Sequence, residues 1–127
     1  MRILSSIVAL GTLMVVSCSQ PNDDLTSELP HQVSYNSHIQ VILEKSCVRC
    51  HGGTVTHGID FSSYSKILES VGNDPSEDII VIGNAQSKIL RSKLNPEYGP
   101  MYKYLSDPLE YDMIYKWIVE DNLAENL

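Results

Sequence analysis

Cys47-Val48-Arg49-Cys50-His51 decides how this chain is read. Two thiols three residues apart can each add to one vinyl group of a haem, closing a short loop. The histidine that follows stands where its imidazole can serve as the proximal iron ligand. The pentapeptide therefore predicts one covalently attached haem, held by Cys47 and Cys50 with His51 on the iron. A haem brings redox chemistry and the polypeptide brings binding, orientation and tuning, so the expected role is electron transfer. Two other readings use the same residues. A thiol-disulfide redox pair belongs between a strand and a helix, whereas a helical pattern leads into this first cysteine. A zinc site could draw on Cys47, Cys50, His51 and His57, enough donors for tetrahedral coordination. The exported character of the chain favours haem over both.

Export is read from residues 1–17. Arg2 gives a positive start, and the run from Ile3 to Val16 is apolar but short for a bilayer span. It ends Val15-Val16-Ser17-Cys18, which resembles the lipobox of bacterial lipoproteins, where cleavage precedes the cysteine and lipid is attached to it. Cys18 is then the first mature residue and the lipid anchor, against the alternative of an ordinary signal peptide with a free thiol. The count of three cysteines agrees, since a haem takes two and lipid the third. Residues 18–32 are polar, acidic and unpatterned, as a flexible tether should be. Ser19 resembles an outer-membrane sorting signal, and Asn22-Asp23-Asp24 resembles acidic surface-export tags. The expected address is the bacterial cell envelope, lipid-anchored and facing the periplasm, at the outer membrane rather than the inner, with the cell surface as a variant. No later segment is long and apolar enough to span a membrane.

Residues 33–127 are enough for one small domain, with no internal repeat. Such a domain has a limited core of its own, and a covalently held haem would add a large apolar body to pack around. The formal net charge of −7 becomes −8 when Arg2 leaves with the signal. That argues against nucleic acid as a partner and favours redox partner proteins with a basic or neutral docking patch, unless the charge serves solubility alone.

Helical periodicity organises the domain. Ser34 is placed to cap a helix over 35–45, with Tyr35, Ile39, Ile42 and Leu43 on one face. Gly52-Gly53 releases the chain into a loop, where close approach to a haem edge would need small residues. A second helix is expected over 61–71 from Tyr64, Ile67, Leu68 and Val71, broken by Gly72-Asn73-Asp74-Pro75. Ile79 to Ile82 is β-branched but has no partner strand, so an extended connection is expected. A third short helix covers 87–94 and ends at Asn95-Pro96. Asp107, Pro108 and Glu110 form a capping-box start for a last helix, whose apolar face is Leu109, Met113, Ile114, Trp117 and Ile118. The fold class is all-α, with the first and last helices packed across one another.

Several segments together resemble the planctomycete-type cytochrome c domain. They are Ile39-Gln40-Val41-Ile42-Leu43 with the cysteine motif, Gly58-Ile59-Asp60-Phe61-Ser62-Ser63-Tyr64, Val81 through Leu90, and Leu105-Ser106-Asp107 with Glu110, Ile114 and Trp117-Ile118. The matches run in order over residues 33–122. The resemblance implies a small helical domain of the class I cytochrome c kind, wrapped around one covalent haem with histidine on one face of the iron and methionine on the other. Two departures stand out. Val41 replaces a proline common in that family, and the family's methionine is usually followed by proline, whereas here Pro100 precedes Met101 and Tyr102 follows.

A thioether opposite histidine raises the reduction potential. Only Met101 and Met113 lie beyond the signal. Met101 sits in a Gly- and Pro-containing loop able to aim a sulfur at iron, whereas Met113 falls in the apolar stripe of the last helix, a place for core filling. Met101 is the expected sixth ligand, with Met113, a histidine or an open position as alternatives. His57 lies too near His51 to reach the opposite face easily, and His38 and His31 read as ordinary histidines. Trp117 reads as helix-helix core with an indole that could alternatively donate to a haem propionate. Tyr98, Tyr102 and Tyr104 are expected to shield the haem, and Arg49 either to offset propionate charge or to be simply exposed. With both axial positions filled, iron has no place for substrate, so no enzyme activity is expected. A haem-based sensor with an open sixth position and a zinc-stabilised interaction lipoprotein are the readings from other classes. Oligomeric state, electron donor and acceptor are not legible.

Overall fold

The computed structural model describes residues 28–53 and 58–127. Cys18, the leader, most of the tether and His57 lie outside the described residues. The described part is helical, and its sole strand-like pairing is one parallel bridge between Val71 and Ile80.

The first expected helix forms in two windings. A π-helical turn, Tyr35–Ile39, runs into α1, Gln40–Ser46. The wide turn arises where the Ser34 carbonyl accepts from both His38 and Ile39 N–H, at 3.1 and 3.2 Å. Ser34 does not cap this helix with its side chain. Its hydroxyl is buried and makes no hydrogen bond among the described residues, while its N–H donates to His38 Nδ1 at 3.2 Å. The expected face is the buried one: Tyr35, Ile39, Ile42 and Leu43 are core, and Val41 on the other side is exposed.

Cys47 bends the chain at φ −122° between α1 and α2, Val48–His51. α3 is shorter than the periodicity suggested, Tyr64–Leu68 rather than 61–71. Local side chains compete for its expected first turn. The Asp60 carboxylate accepts from Ser62 N–H, and Ser63 caps α3 by accepting from Lys66 N–H. Ser70 and Val71 then close tight turns onto the Ile67 and Leu68 carbonyls. Of residues 79–82, expected as an extended connection, Ile80 makes the bridge to Val71 and Ile82 enters a turn closed by Asn84 N–H on the Val81 carbonyl at 3.2 Å. The third short helix is π-wound, Ile89–Lys93, where the Ser92 hydroxyl donates back to the Lys88 carbonyl and Leu94 N–H reaches Ile89.

α4, Pro108–Val119, follows its caps closely. Asp107 accepts from Leu109 N–H at 2.8 Å, and Pro108 occupies the first turn, where its missing donor is harmless. Glu110 reaches Ser106 N–H at 2.7 Å, one residue before the usual capping-box target. Its other oxygen pairs with Lys45 at 2.9 Å, tying the start of α4 to the end of α1. Ile114, Trp117 and Ile118 are buried, while Leu109 and Met113 are half-buried.

The first and last helices do meet, and the chain end fastens them. After α4, Asn122 and Leu123 take left-handed φ of 51° and 57°, turning Leu123 into the core. Tyr35 N–H then donates to the Ala124 carbonyl at 2.7 Å and Asn36 N–H to Glu125 at 3.0 Å. Val33 N–H reaches the Asp121 carboxylate at 2.8 Å, and Tyr64 OH the Leu123 carbonyl at 2.8 Å.

Candidate functional site

Ile114, Trp117 and Ile118 of α4 also line a cavity of about 950 Å³. That is near the top of the range of roughly 300–1,000 Å³ for ligand pockets. Cys47, Cys50, His51 and Met101 all line it, and its wall is otherwise largely apolar, with Leu43, Phe61, Ile89 and Trp117 among the contributors.

The cysteine-histidine side is delivered by the bend into α2. Cys50 and His51 N–H groups both donate to the Cys47 carbonyl, at 3.1 and 2.9 Å. Cys47 is half-buried, Cys50 exposed, and neither is in a disulfide. Burial pushes the Cys47 thiol up to about 11, helped by the negative charges of Glu110 and Cys50. A thiol held protonated is the reverse of what a dithiol oxidoreductase nucleophile needs. The His51 ring meets Phe61 edge-on at 5.7 Å. Phe61 N–H also donates to the His51 carbonyl at 2.6 Å, so the returning chain braces the histidine by backbone and ring together.

The backbone itself requires the two glycines that follow the motif. A β-carbon on Gly52 would stand 2.7 Å from the Val48 carbonyl oxygen, and Gly53 takes φ 72°. Close packing on α2 and a left-handed turn account for the pair.

Met101 comes to the cavity from a distant part of the chain. Its N–H donates to the Lys93 carbonyl at 2.9 Å, so its loop is folded back on the Ile89–Lys93 turn. It lines the cavity while remaining 37% exposed. Met113 is packed against the core and does not line the cavity. Of the three tyrosines, Tyr104 lines the cavity, Tyr102 stacks edge-on against Tyr111 at 5.9 Å, and Tyr98 is exposed. Trp117 forms part of the wall, but its indole N–H donates to the Ala124 carbonyl at 2.9 Å, which commits that donor to the seam. His38 is engaged by Ser34, and His31 is exposed; neither lines the cavity.

Charge at the cavity was only partly anticipated through Arg49. Four of the chain's nine basic residues border it, Lys45, Arg49, Lys88 and Lys93, and among the described residues no acidic one does. Lys45 is paired with Glu110, whereas Arg49, Lys88 and Lys93 form no ion pair among the described residues. The sequence signal was available: Lys88, Arg91 and Lys93 cluster within one short segment of an acidic chain.

These residues fit a haem on the chemistry of their donors. A macrocycle carries its own in-plane nitrogens and asks the protein only for axial ligands, which His51 and Met101 are of the right type to provide. A bare metal ion asks for more, and among the described residues no group of three or more His, Cys, Asp or Glu side chains is gathered to hold one. Compared with family models, curated proteins and solved structures, the chain matches none.

Proposed function

We propose that this protein is a monohaem c-type cytochrome that carries or relays electrons in the bacterial cell envelope, anchored by lipid on Cys18. One observation carries the reading. Cys47, Cys50 and His51 share a single large apolar cavity with Met101, a residue far away in sequence that sequence reasoning had singled out independently of any contact. In this reading Cys47 and Cys50 would hold the group through thioether bonds, and His51 and Met101 would be the ligands to its iron. Bound haem would supply one-electron chemistry at its iron. Phe61 keeps the His51 ring oriented, and the apolar wall limits water at the macrocycle. Arg49, Lys88 and Lys93 offer positive charge to the two propionates, whose burial among apolar groups alone would be costly. The resemblance to the planctomycete-type cytochrome c domain supports the same assignment.

With His51 and Met101 both on the iron, the bound group would leave no position for substrate, which fits electron exchange. Among the described residues no helix is long and apolar enough to cross a membrane. A lipid on Cys18, with residues 18–32 as tether, is the proposed attachment, at the periplasmic face of the outer membrane.

The test is to express the full chain with haem-attachment machinery, purify it in detergent, and record oxidised and reduced spectra. Expected are haem that survives denaturation and acid extraction, and the weak red absorption band of methionine sulfur on ferric iron. Replacing both Cys47 and Cys50 by Ala should abolish covalent attachment, and Met101→Ala should remove the red band and lower the potential. A colourless product would overturn the haem assignment. Covalent haem without the band, binding carbon monoxide when reduced, would replace the carrier with an open-site sensor.

A further inference from the structure

The loop that presents Met101 is closed more tightly than a simple connection requires. The Asn95 side-chain oxygen accepts from Glu97 and Tyr98 N–H, at 2.9 and 3.3 Å. Gly99 N–H donates to the Asn95 carbonyl at 2.8 Å, and Tyr102 N–H returns to the Gly99 carbonyl at 3.2 Å. Met101 N–H then closes on the Lys93 carbonyl. Gly99 lies where backbone meets backbone: a β-carbon there would stand 2.5 Å from Asn95 N and 2.6 Å from the Lys93 oxygen. Those neighbours are main chain and cannot swing aside as the end of a side chain can. The Lys93 oxygen that excludes a side chain at 99 is also the acceptor for Met101.

We infer that Asn95 and Gly99 are positioning residues for Met101, an inference that rests on the haem reading and deepens it. Asn95 fixes the start of the loop by holding two backbone donors. Gly99 permits the close pass over the last turn of Ile89–Lys93, and together they set where the Met101 backbone stands. Met101 N–H is held on the Lys93 carbonyl at 2.9 Å, so the bonds that close the loop also decide where the methionine stands. Tyr102 has a part as well. Its N–H closes the turn on Gly99, a bond a proline could not make. The chain thus fastens its methionine by hydrogen bonds at the position where the resembled family places proline.

The experiment uses the full haem-loaded chain and two readouts, the pH at which the methionine-iron band is half lost and the midpoint potential. Asn95→Ala should lose the band about one pH unit lower than the parent, the roughly tenfold weakening expected from losing one or two net hydrogen bonds. Its potential should move toward that of Met101→Ala. Asn95→Asp, which keeps an acceptor oxygen in place, should stay close to the parent. Gly99→Ala should lose the band outright; if it fails to accumulate, the Asn95 pair decides. An Asn95→Ala protein with the parent's band and potential overturns the inference even if its melting temperature falls, because the loop then serves stability alone. Equal losses in Asn95→Ala and Asn95→Asp overturn the role given to the acceptor oxygen. If Met101→Ala itself leaves both readouts unchanged, the axial assignment has failed and this inference falls with it.

Discussion

The two sides of this small domain are built differently. On the seam, the start of the first helix and the chain end are joined by backbone bonds from Tyr35 and Asn36 to Ala124 and Glu125, and Val33, Ile39 and Leu123 are at most 1% exposed. On the cavity side, the side chains that matter chemically stay reachable: Cys50 is exposed, Met101 is 37% exposed and Tyr104 56%. There the backbone is fixed locally, by Phe61 on His51 and Met101 on Lys93, while the side chains are left for a ligand. The difference teaches a division of labour. The seam supplies fold stability from the chain alone, so the cavity can keep donors and apolar surface uncommitted. The left-handed Leu123 belongs to this logic. Its backbone conformation costs energy, and the buried leucine with its bonded neighbours holds it there.

Trp117 is where the division can be broken, because it serves both sides. Its ring packs 6.1 Å from Tyr35, its N–H holds Ala124, and it forms cavity wall. Trp117→Ala should therefore cost the most, about 3–5 kcal/mol from lost packing and the cavity left behind. Trp117→Phe keeps most of the area and drops the hydrogen bond, for about 1–2 kcal/mol. Denaturant unfolding followed by tyrosine fluorescence and far-ultraviolet circular dichroism checks both. A single shared transition is expected. Two transitions would mean that the seam folds without the cavity side, and the contrast would become one of separate folding units.

Ser87 sharpens the comparison at an intermediate scale. Its buried hydroxyl accepts from Val81 N–H at 3.0 Å and faces the Val81 and Asn84 carbonyls at 2.9 and 2.6 Å. The same turn carries Gly83, whose N–H reaches the Ile118 carbonyl, so it links the cavity wall to the end of α4. Ser87→Ala strands a buried donor and should cost about 1–3 kcal/mol. Hydrogen exchange should quicken at Val81 and Gly83 while Tyr35 and Asn36 stay protected. Equal quickening at the seam would show that the two sides are not separable at this point.

Legibility in the sequence follows the range of the forces involved. α4 could be read because Asp107, Pro108 and Glu110 set its start through contacts a few residues long, and the buried face of α1 could be read because periodicity is local. The length of α3 could not, since Asp60 and Ser63 act on the backbone against the apolar pattern. The meeting of the first and last helices could be read from their apolar faces, but its fastening could not: bonds from Tyr35 and Asn36 to residues at the other chain end leave no periodic trace, and a left-handed Leu123 runs against its own propensity. At the candidate site, Cys47, Cys50, His51 and Met101 were nameable from spacing and loop chemistry. Where the cations stand needed the tertiary fold, because Arg49 and the Lys88–Lys93 segment meet at the cavity from distant parts of the chain, although the basic cluster itself was visible. The Asn95-Gly99 closure is local, but its last bond, Met101 on Lys93, depends on how the loop passes back over the preceding turn.

The smallest expected effect tests the cavity side alone. Asp60 sits in the return loop, and its carboxyl is held below the usual value of 3.8 by the Ser62 side chain and N–H, with help from Gly53 N–H and Lys66. Its charged form is thus favoured in the folded protein. A depressed carboxyl contributes stability that is present above the unfolded value and disappears as pH falls through the folded one, so the window lies below about 3.8. Asp60→Asn keeps an acceptor for Gly53 and Ser62 but removes the charge. It should flatten the acid limb of the stability curve slightly and leave the neutral plateau almost unchanged. The place to look is amide exchange at Gly53 and Ser62 as the pH is lowered, with Tyr35 as the seam reference. If acid loosens Tyr35 as early as Gly53 in the parent, the loop is not a local unit. The bracing of His51 by Phe61 would then depend on the seam as much as on its own turn.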